Sequence, residues 1–215
     1  MYRYFVTGTD TDVGKTRVTA ALARALREAG HQVTVVKLVQ TGLAPGERGD
    51  AARAGALAGC RHVELARFRK PADPWSAAIA ENAPLASAAE LAHIVDGIRG
   101  AVVVEGAGGL MVPLNPNEHL GHVAERAKLR TIVVVGLRLG CLNHALLTLA
   151  HCEQARLPVA GIVPVERWGA VAPSYRADVE RTLQDKAPIL GILPFAEDET
   201  AAVADGARIF APLFR

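Results

Sequence analysis

Short apolar runs rich in β-branched residues alternate along this chain with stretches whose apolar positions recur every three or four residues. The runs are "YFVT" (4–7), "VTVVKLV" (33–39), "AVVVE" (101–105), "TIVVV" (131–135), "VAGIV" (159–163) and "ILGIL" (189–193). They are near-continuous rather than alternating, which predicts strands covered on both faces, as in a parallel sheet. The clearest helical period is Val18, Ala21, Leu22, Ala25, Leu26 and Ala29, stopped by Gly30. Further helices are predicted around 50–58, 87–98, 118–128, 143–155 and 174–185. Strand and helix in alternation imply an α/β fold, a doubly wound and mostly parallel sheet with helices on both faces. Residues 60–86, interrupted by Pro71, Pro74 and Pro84, show no readable element and are expected to pass over the carboxyl edge of the sheet. With 215 residues, half of them apolar, the chain has material for one well-buried domain spanning 1–215.

The net charge of +2 gives no electrostatic reason to expect nucleic acid or an anionic membrane as partner. No apolar run approaches the roughly 18 residues that span a bilayer. "MYRYFVTG" lacks a basic-then-apolar leader, and three cysteines suit a reducing compartment, so a cytoplasmic location is expected. Only five of the 24 basic residues are Lys, which draws attention to Lys15 and Lys37 at element boundaries.

Between the first strand and first helix lies "TGTDTDVGKT" (7–16). A Gly-rich turn feeding a helix that begins Gly-Lys-Thr presents backbone N–H groups and a helix N-terminus to an anion. Lys15 then reaches the outer phosphates, and Thr16 can place its hydroxyl on magnesium. The usual motif has four residues between the first Gly and Gly-Lys; here Gly8 and Gly14 enclose five, with Thr9 where Gly is usual. Ligands of open α/β sheets sit outside the carboxyl ends of the strands. There Lys37 interrupts an apolar run as a fixed cation. Glu105 stands where nucleotide-hydrolysing folds put a magnesium-holding acid. "GAGG" (106–109) permits close backbone approach. Asp12 and Asp50 are either metal ligands or solvated acids, and spacing does not choose. Gly140 to Asn143 reads as a helix N-terminus able to hold an anion. Cys141, His144, His151 and Cys152 lack a second ligand pair at zinc spacing and read as packing and polar decoration. His119 and His122 read as surface residues. There is no Ser/His/Asp nucleophile arrangement, and no metal beyond magnesium is called for.

"YFVTGTDTDVGKT", "KLVQTG", "RGDA", "VVVEGAGGLMVPL" and "VVVGLRLGCLNHALLTL", in this order, resemble the dethiobiotin synthetase family over about residues 3–163, and more loosely to the end. The five-residue loop spacing is that family's own. The resemblance implies a P-loop NTPase fold and an ATP-dependent cyclo-ligase of biotin biosynthesis. In that reaction 7,8-diaminopelargonate takes up carbon dioxide as a carbamate and ATP phosphorylates it. The second amine then closes a ureido ring, and ADP and phosphate are released. It implies Lys15 and Lys37 as catalytic cations, and Thr16, Asp50 and Glu105 as Mg2+ ligands. Asp12, Val13, Gly14, Lys15, Thr16 and Arg17 would bind nucleotide, with Glu105, Gly108, Pro194 and Glu197. Thr11, Lys37, Thr41 and Gly108 would contact the substrate. The family's homodimer implies that Gly140, Cys141, Leu142 and Asn143 of the partner chain capture the substrate carboxylate.

The chain departs from the family in three places. Lys37-Leu38-Val39 replaces a common Lys-Pro-Val and leaves the Lys in place; "PWSAAIA" (74–80) replaces a Ser-Pro-His stretch on the substrate side. Val165 stands where many members carry an Asn that reads adenine. Base selectivity is therefore expected to be weak, other nucleoside triphosphates serving beside ATP, or to be met by backbone near Pro194 to Glu197. The alternative reading is a regulatory or partitioning ATPase switch of the same fold. Such relatives carry an early Lys in the phosphate loop, and Gly8 to Val13 has none. A guanine-reading Asn-Lys-x-Asp is also absent, "VERW" standing where it would be sought, and no glutaminase domain accompanies the chain.

Overall fold

The computed structural model describes residues 2–214. The strands are β1 (Arg3–Gly8), β2 (Val33–Lys37), β3 (Arg61–Glu64), β4 (Ala101–Glu105), β5 (Pro113–Asn115), β6 (Glu118–His119), β7 (Arg130–Gly136) and β8 (Val159–Val165). Six of them form one sheet in the order β3-β2-β4-β1-β7-β8, and every pairing within it is parallel. The chain winds outward one way through β2 and β3 and the other way through β7 and β8. The order thus reverses beside β1 and β4, where ligand crevices of such sheets lie.

The helices are α1 (Lys15–Glu28), α2 (Asp50–Ala58), α3 (Pro74–Ala80), α4 (Ala88–Asp96), α5 (Leu120–Arg126), α6 (Cys141–Gln154), α7 (Pro173–Leu183) and α8 (Glu199–Gly206), followed by a 3-10 segment, Ala207–Phe214. Successive strand residues face opposite layers. Tyr4 and Val6 join Val18, Leu22 and Leu26 of α1, Ala51 of α2, Val203 of α8 and Phe210 in one core. Phe5 joins Leu91 of α4, Val123 of α5, Ala145 of α6 and Val179 of α7 in the other. Each central strand is therefore buried on both faces, which is why its sequence is a continuous apolar run.

Several expectations need correction. The run 189–193 is not a strand; it makes isolated bridges, Ile189 to Ile162 and Leu193 to Val165. Gly191, at φ 149°, breaks the extended backbone between them. Residues 60–86 do hold elements. β3 is a short, polar edge strand whose first two residues, Arg61 and His62, are exposed, so its sequence lacks an apolar run. Pro74, expected to break structure, opens α3 instead, with Asp73 capping it by accepting from Ser76 N at 2.9 Å. The hairpin of β5 and β6 delays the helix expected from 118, so that α5 begins at Leu120. His119 and His122 are half-buried, not surface residues, and their rings stack at 3.8 Å. Among the described residues no helix is long and apolar enough to cross a membrane.

Candidate active site

The loop between β1 and α1 is anchored before it can bind anything. Gly8 N donates to Gly108 O at 3.1 Å and Thr9 N to Val134 O at 2.9 Å. Val13, 1% exposed, drops its side chain into the core beneath the loop. Asp12 (φ 56°) and Gly14 (φ 101°) are left-handed, and this curls the chain back on itself ahead of α1. A Cβ on Gly14 would stand 2.9 Å from Val165 Cγ1, and one on Gly8 would stand 2.9 Å from Lys15 Nζ. Only glycine fits both positions. Lys15 opens α1 and folds back, its Nζ donating to Asp10 O at 2.8 Å.

Sheet register brings the second Lys to the same place. Lys37 ends β2 opposite Glu105, which ends β4, and Glu105 is paired with Val6 of β1. Lys37 Nζ donates to Glu105 Oε1 at 2.8 Å, to Gly106 O at 3.0 Å and to Asp50 Oδ2 at 2.6 Å. Thr16 Oγ1 donates to the same Glu105 oxygen at 3.0 Å. The other oxygen, Glu105 Oε2, is buried without a partner. Asp50 is placed as the first residue of α2, where Gln40 Oε1 accepts from its N–H at 2.9 Å.

The electrostatics follow from this crowding. Burial first, then the neighbouring Lys37 ammonium, presses the Lys15 pKa down to about 8, against the attraction of Glu105 and Asp50. Burial also works against the Lys37 charge, yet Glu105 and Asp50 more than offset it and raise its pKa. Burial would raise the Asp50 carboxyl, but Lys37 outweighs it and holds the group below its usual range. Lys37 is thus a committed cation, while Lys15 lacks a carboxylate in hydrogen-bond contact. Together they form a site ready for an anion.

These groups line one cavity of about 630 Å³. Thr11, Asp12, Gly14, Lys15, Thr16 and Arg17 bound it from the loop and α1, Lys37, Thr41 and Asp50 from the second strand and its connection, and Glu105 and Gly108 from the fourth. The lysines at 15 and 37 therefore share one pocket. Other expected residues lie elsewhere. Val13 is in the core, Pro194 contributes only its carbonyl, to Arg17, and Glu197 is exposed beyond the wall. Gly140, Cys141, Leu142 and Asn143 form the start of α6, outside this cavity. There Gly140 (φ 90°) gives no side-chain cap, Cys141 N donates to Arg138 O at 3.0 Å, and Leu139 beside it is 95% exposed. Arg138 ties that helix start to the phosphate loop by pairing with Asp10 at 2.5 Å.

Sequence reasoning missed one wall of the cavity, made by Arg53, Arg167, Phe195 and Glu199. Arg167 pairs with Asp12 at 3.0 Å and Arg53 pairs with Glu199, which ties α2 to α8. It also missed Pro71 to Pro74, which form the wall on the α3 side. The available signal was Phe195 directly after Pro194; Arg53, inside a predicted helix, and Arg167, in "VERW", carry no local pattern that marks them. Val165 is fully buried against Gly14 and offers nothing to the cavity.

A family described as an AAA domain matches residues 2–203. A protein of Rhodococcus jostii named ATP-dependent dethiobiotin synthetase BioD is 40% identical, over 94% of this chain and 90% of that protein. A protein of Anaeromyxobacter dehalogenans with the same name is 40% identical, over 90% of each. Among solved structures, a ParA family ATPase from Chlorobium tepidum superposes with a TM-score of 0.57 at 18% identity, covering 98% of this chain and 92% of that one. This last likeness concerns the fold alone, a P-loop NTPase-like sheet.

Proposed function

Because the chain belongs to the dethiobiotin synthetase family and is an ATP-dependent enzyme of that kind, we propose that it closes a ureido ring on 7,8-diaminopelargonate with carbon dioxide and ATP. The observation that carries this reading is the convergence of Lys15, Lys37, Thr16, Asp50 and Glu105 on one cavity. A carbamate forms as one amine adds to carbon dioxide and gives up a proton. Its oxygen attacks the γ-phosphorus, ADP leaves, and the carbamate carbon becomes an acyl phosphate. The second amine then attacks that carbon and gives up a proton, the ring closes, and phosphate departs with the oxygen it received.

Each step brings anions together, so the demand on the protein is charge neutralisation with water kept out. Lys15 serves the β- and γ-phosphates. Lys37, fixed by two carboxylates, serves the carbamate and the transferring phosphoryl group. Thr11, Thr41 and Gly108, with the Pro71 to Pro74 wall, border the diamine's position. A magnesium ion would be held by Thr16, Asp50 and Glu105. The partnerless Glu105 Oε2 and the set of hard oxygens suit it, because magnesium takes few protein ligands and keeps water and phosphate oxygens. When bound, it supplies further neutralisation of the phosphates. The nucleotide's triphosphate is gripped at the loop, while its base lies toward Arg167 and Phe195. With Val165 buried, no side-chain amide reads the base there. Two chains pair as a homodimer, and the uncapped start of α6, flanked by exposed Leu139 and Leu147, takes the substrate carboxylate of the other subunit.

The test is product formation from diamine, bicarbonate, ATP and magnesium, with mass spectrometry detecting the cyclic urea. Phosphate release should require both diamine and bicarbonate. Equal release without the diamine would overturn the reading in favour of a nucleotide switch.

A further inference from the structure

Glu166 follows β8 directly and is 1% exposed, yet it is a carboxylate that the chemistry above does not use. Its two oxygens are fully engaged. Oε1 accepts from Val171 N at 2.9 Å and from Arg176 Nε at 2.6 Å. Oε2 accepts from Phe195 N at 3.1 Å, and Glu166 N itself donates to Leu193 O at 2.9 Å. One side chain therefore fastens two loops just beyond the bridge of Leu193 to Val165, where the sheet-type pairing ends. The first carries Arg167 and turns back at Val171; the second carries Phe195 and Ala196. Arg167, Phe195 and Ala196 all line the cavity, and they follow β8 or its bridge, four strands across the sheet from the β2 that carries Lys37. The donors win over burial, which alone would favour the neutral acid, and hold the carboxyl below its usual pKa.

We propose that Glu166 is the positioning residue for the base end of the nucleotide site, holding Arg167 on one loop and the Phe195 ring on the other against the nucleoside. The inference rests on the reading of the cavity as a nucleoside triphosphate site. Phe195 is 46% exposed and flanks a cavity, an arrangement suited to stacking on a base of any identity. Burying a charged carboxylate is costly unless every oxygen is satisfied, so its presence at this junction needs a purpose that an apolar residue could not serve. That purpose is to accept from backbone N–H groups of both loops at once. An amide cannot do this, because Gln offers one acceptor oxygen and turns its NH2 toward a third donor.

The experiment measures binding of ATP and of inorganic triphosphate to wild-type protein and to Glu166→Gln by calorimetry, with KM for ATP and kcat beside it. Triphosphate touches the loop alone, whereas ATP touches both ends. Glu166→Gln should weaken ATP binding about tenfold or more while changing triphosphate binding by less than about twofold. The KM for ATP should rise by a larger factor than kcat falls. Phe195→Ala, on the exposed tip, should show the same split and keeps the test decidable should the buried variant not fold. Equal loss for both ligands would mean that Glu166 merely supports the fold, and unchanged ATP binding in both variants would remove its role. Wild-type protein that binds no nucleotide would overturn the cavity reading itself, a result distinct from either.

Discussion

Lys37 is the residue on which the proposed chemistry turns, and two carboxylates, Asp50 and Glu105, hold it in place. Its ammonium is already paired, so removing the charge should do little to nucleotide affinity and much to the step in which negative charge develops. Lys37→Gln is expected to leave the Kd for ATP near its starting value and to lower kcat at least tenfold, about 1.4 kcal/mol. A variant that lost affinity and kept its turnover would show the assignment to be wrong. Lys15→Ala should abolish turnover, through lost stabilisation of the transferring phosphoryl group in the proposed reaction. The wall beyond Val165 leads to a further expectation at this scale. With no amide at that position, ATP should be preferred over CTP, GTP or UTP by less than about a hundredfold in kcat/KM, about 2.7 kcal/mol. A larger preference would mean that backbone groups near Phe195 read the base edge.

The elements differ in how much of themselves they bury, and α6 stands out. Its inner face packs through Cys141, Ala145, Leu149 and Cys152, while Leu147 is 63% exposed and Leu139, just before the helix, 95%. These exposed leucines are the apolar surface that the proposed pairing of two chains would cover. In the homodimer proposed above, Leu147→Glu should shift the sedimentation mass from dimer to monomer at micromolar concentration and raise the KM for the diamine. A variant that stays dimeric would place the interface elsewhere. The helix start itself should be preserved, since Tyr175 OH donates to Arg138 O at 2.6 Å and Arg138 pairs with Asp10. Short elements show why local pattern is incomplete evidence. α3 owes its existence to a Pro at its first turn and an Asp cap, features that in isolation read as a break. β3 exists because β2 offers it an open edge.

At the scale of the whole molecule, the His119 ring lies stacked on His122 and edge-on to His151 at 5.2 Å, joining the hairpin and α5 to α6. Burial first, then the two neighbouring imidazoles, presses the His119 pKa from 6.5 down to about 4. Between those values the unfolded chain binds a proton that the folded chain refuses. The contribution is thus complete above about pH 6.5 and is lost as pH falls toward 4. Thermal unfolding across that range should show a declining Tm, with a shallower decline in His119→Gln; identical slopes would discount the cluster. The sequence by itself determined the central strands, the phosphate loop and the identity of Lys15, Lys37, Thr16 and Glu105, because burial on both faces and a tight Gly-rich turn are written in contiguous residues. Only the tertiary structure decided that Lys37 meets Glu105, 68 positions away, and Asp50. It alone decided that Glu166 joins two loops and that 189–193 contributes bridges in place of a strand. Contacts of this kind depend on sheet order and on where irregular segments return, and these are settled by packing across the chain.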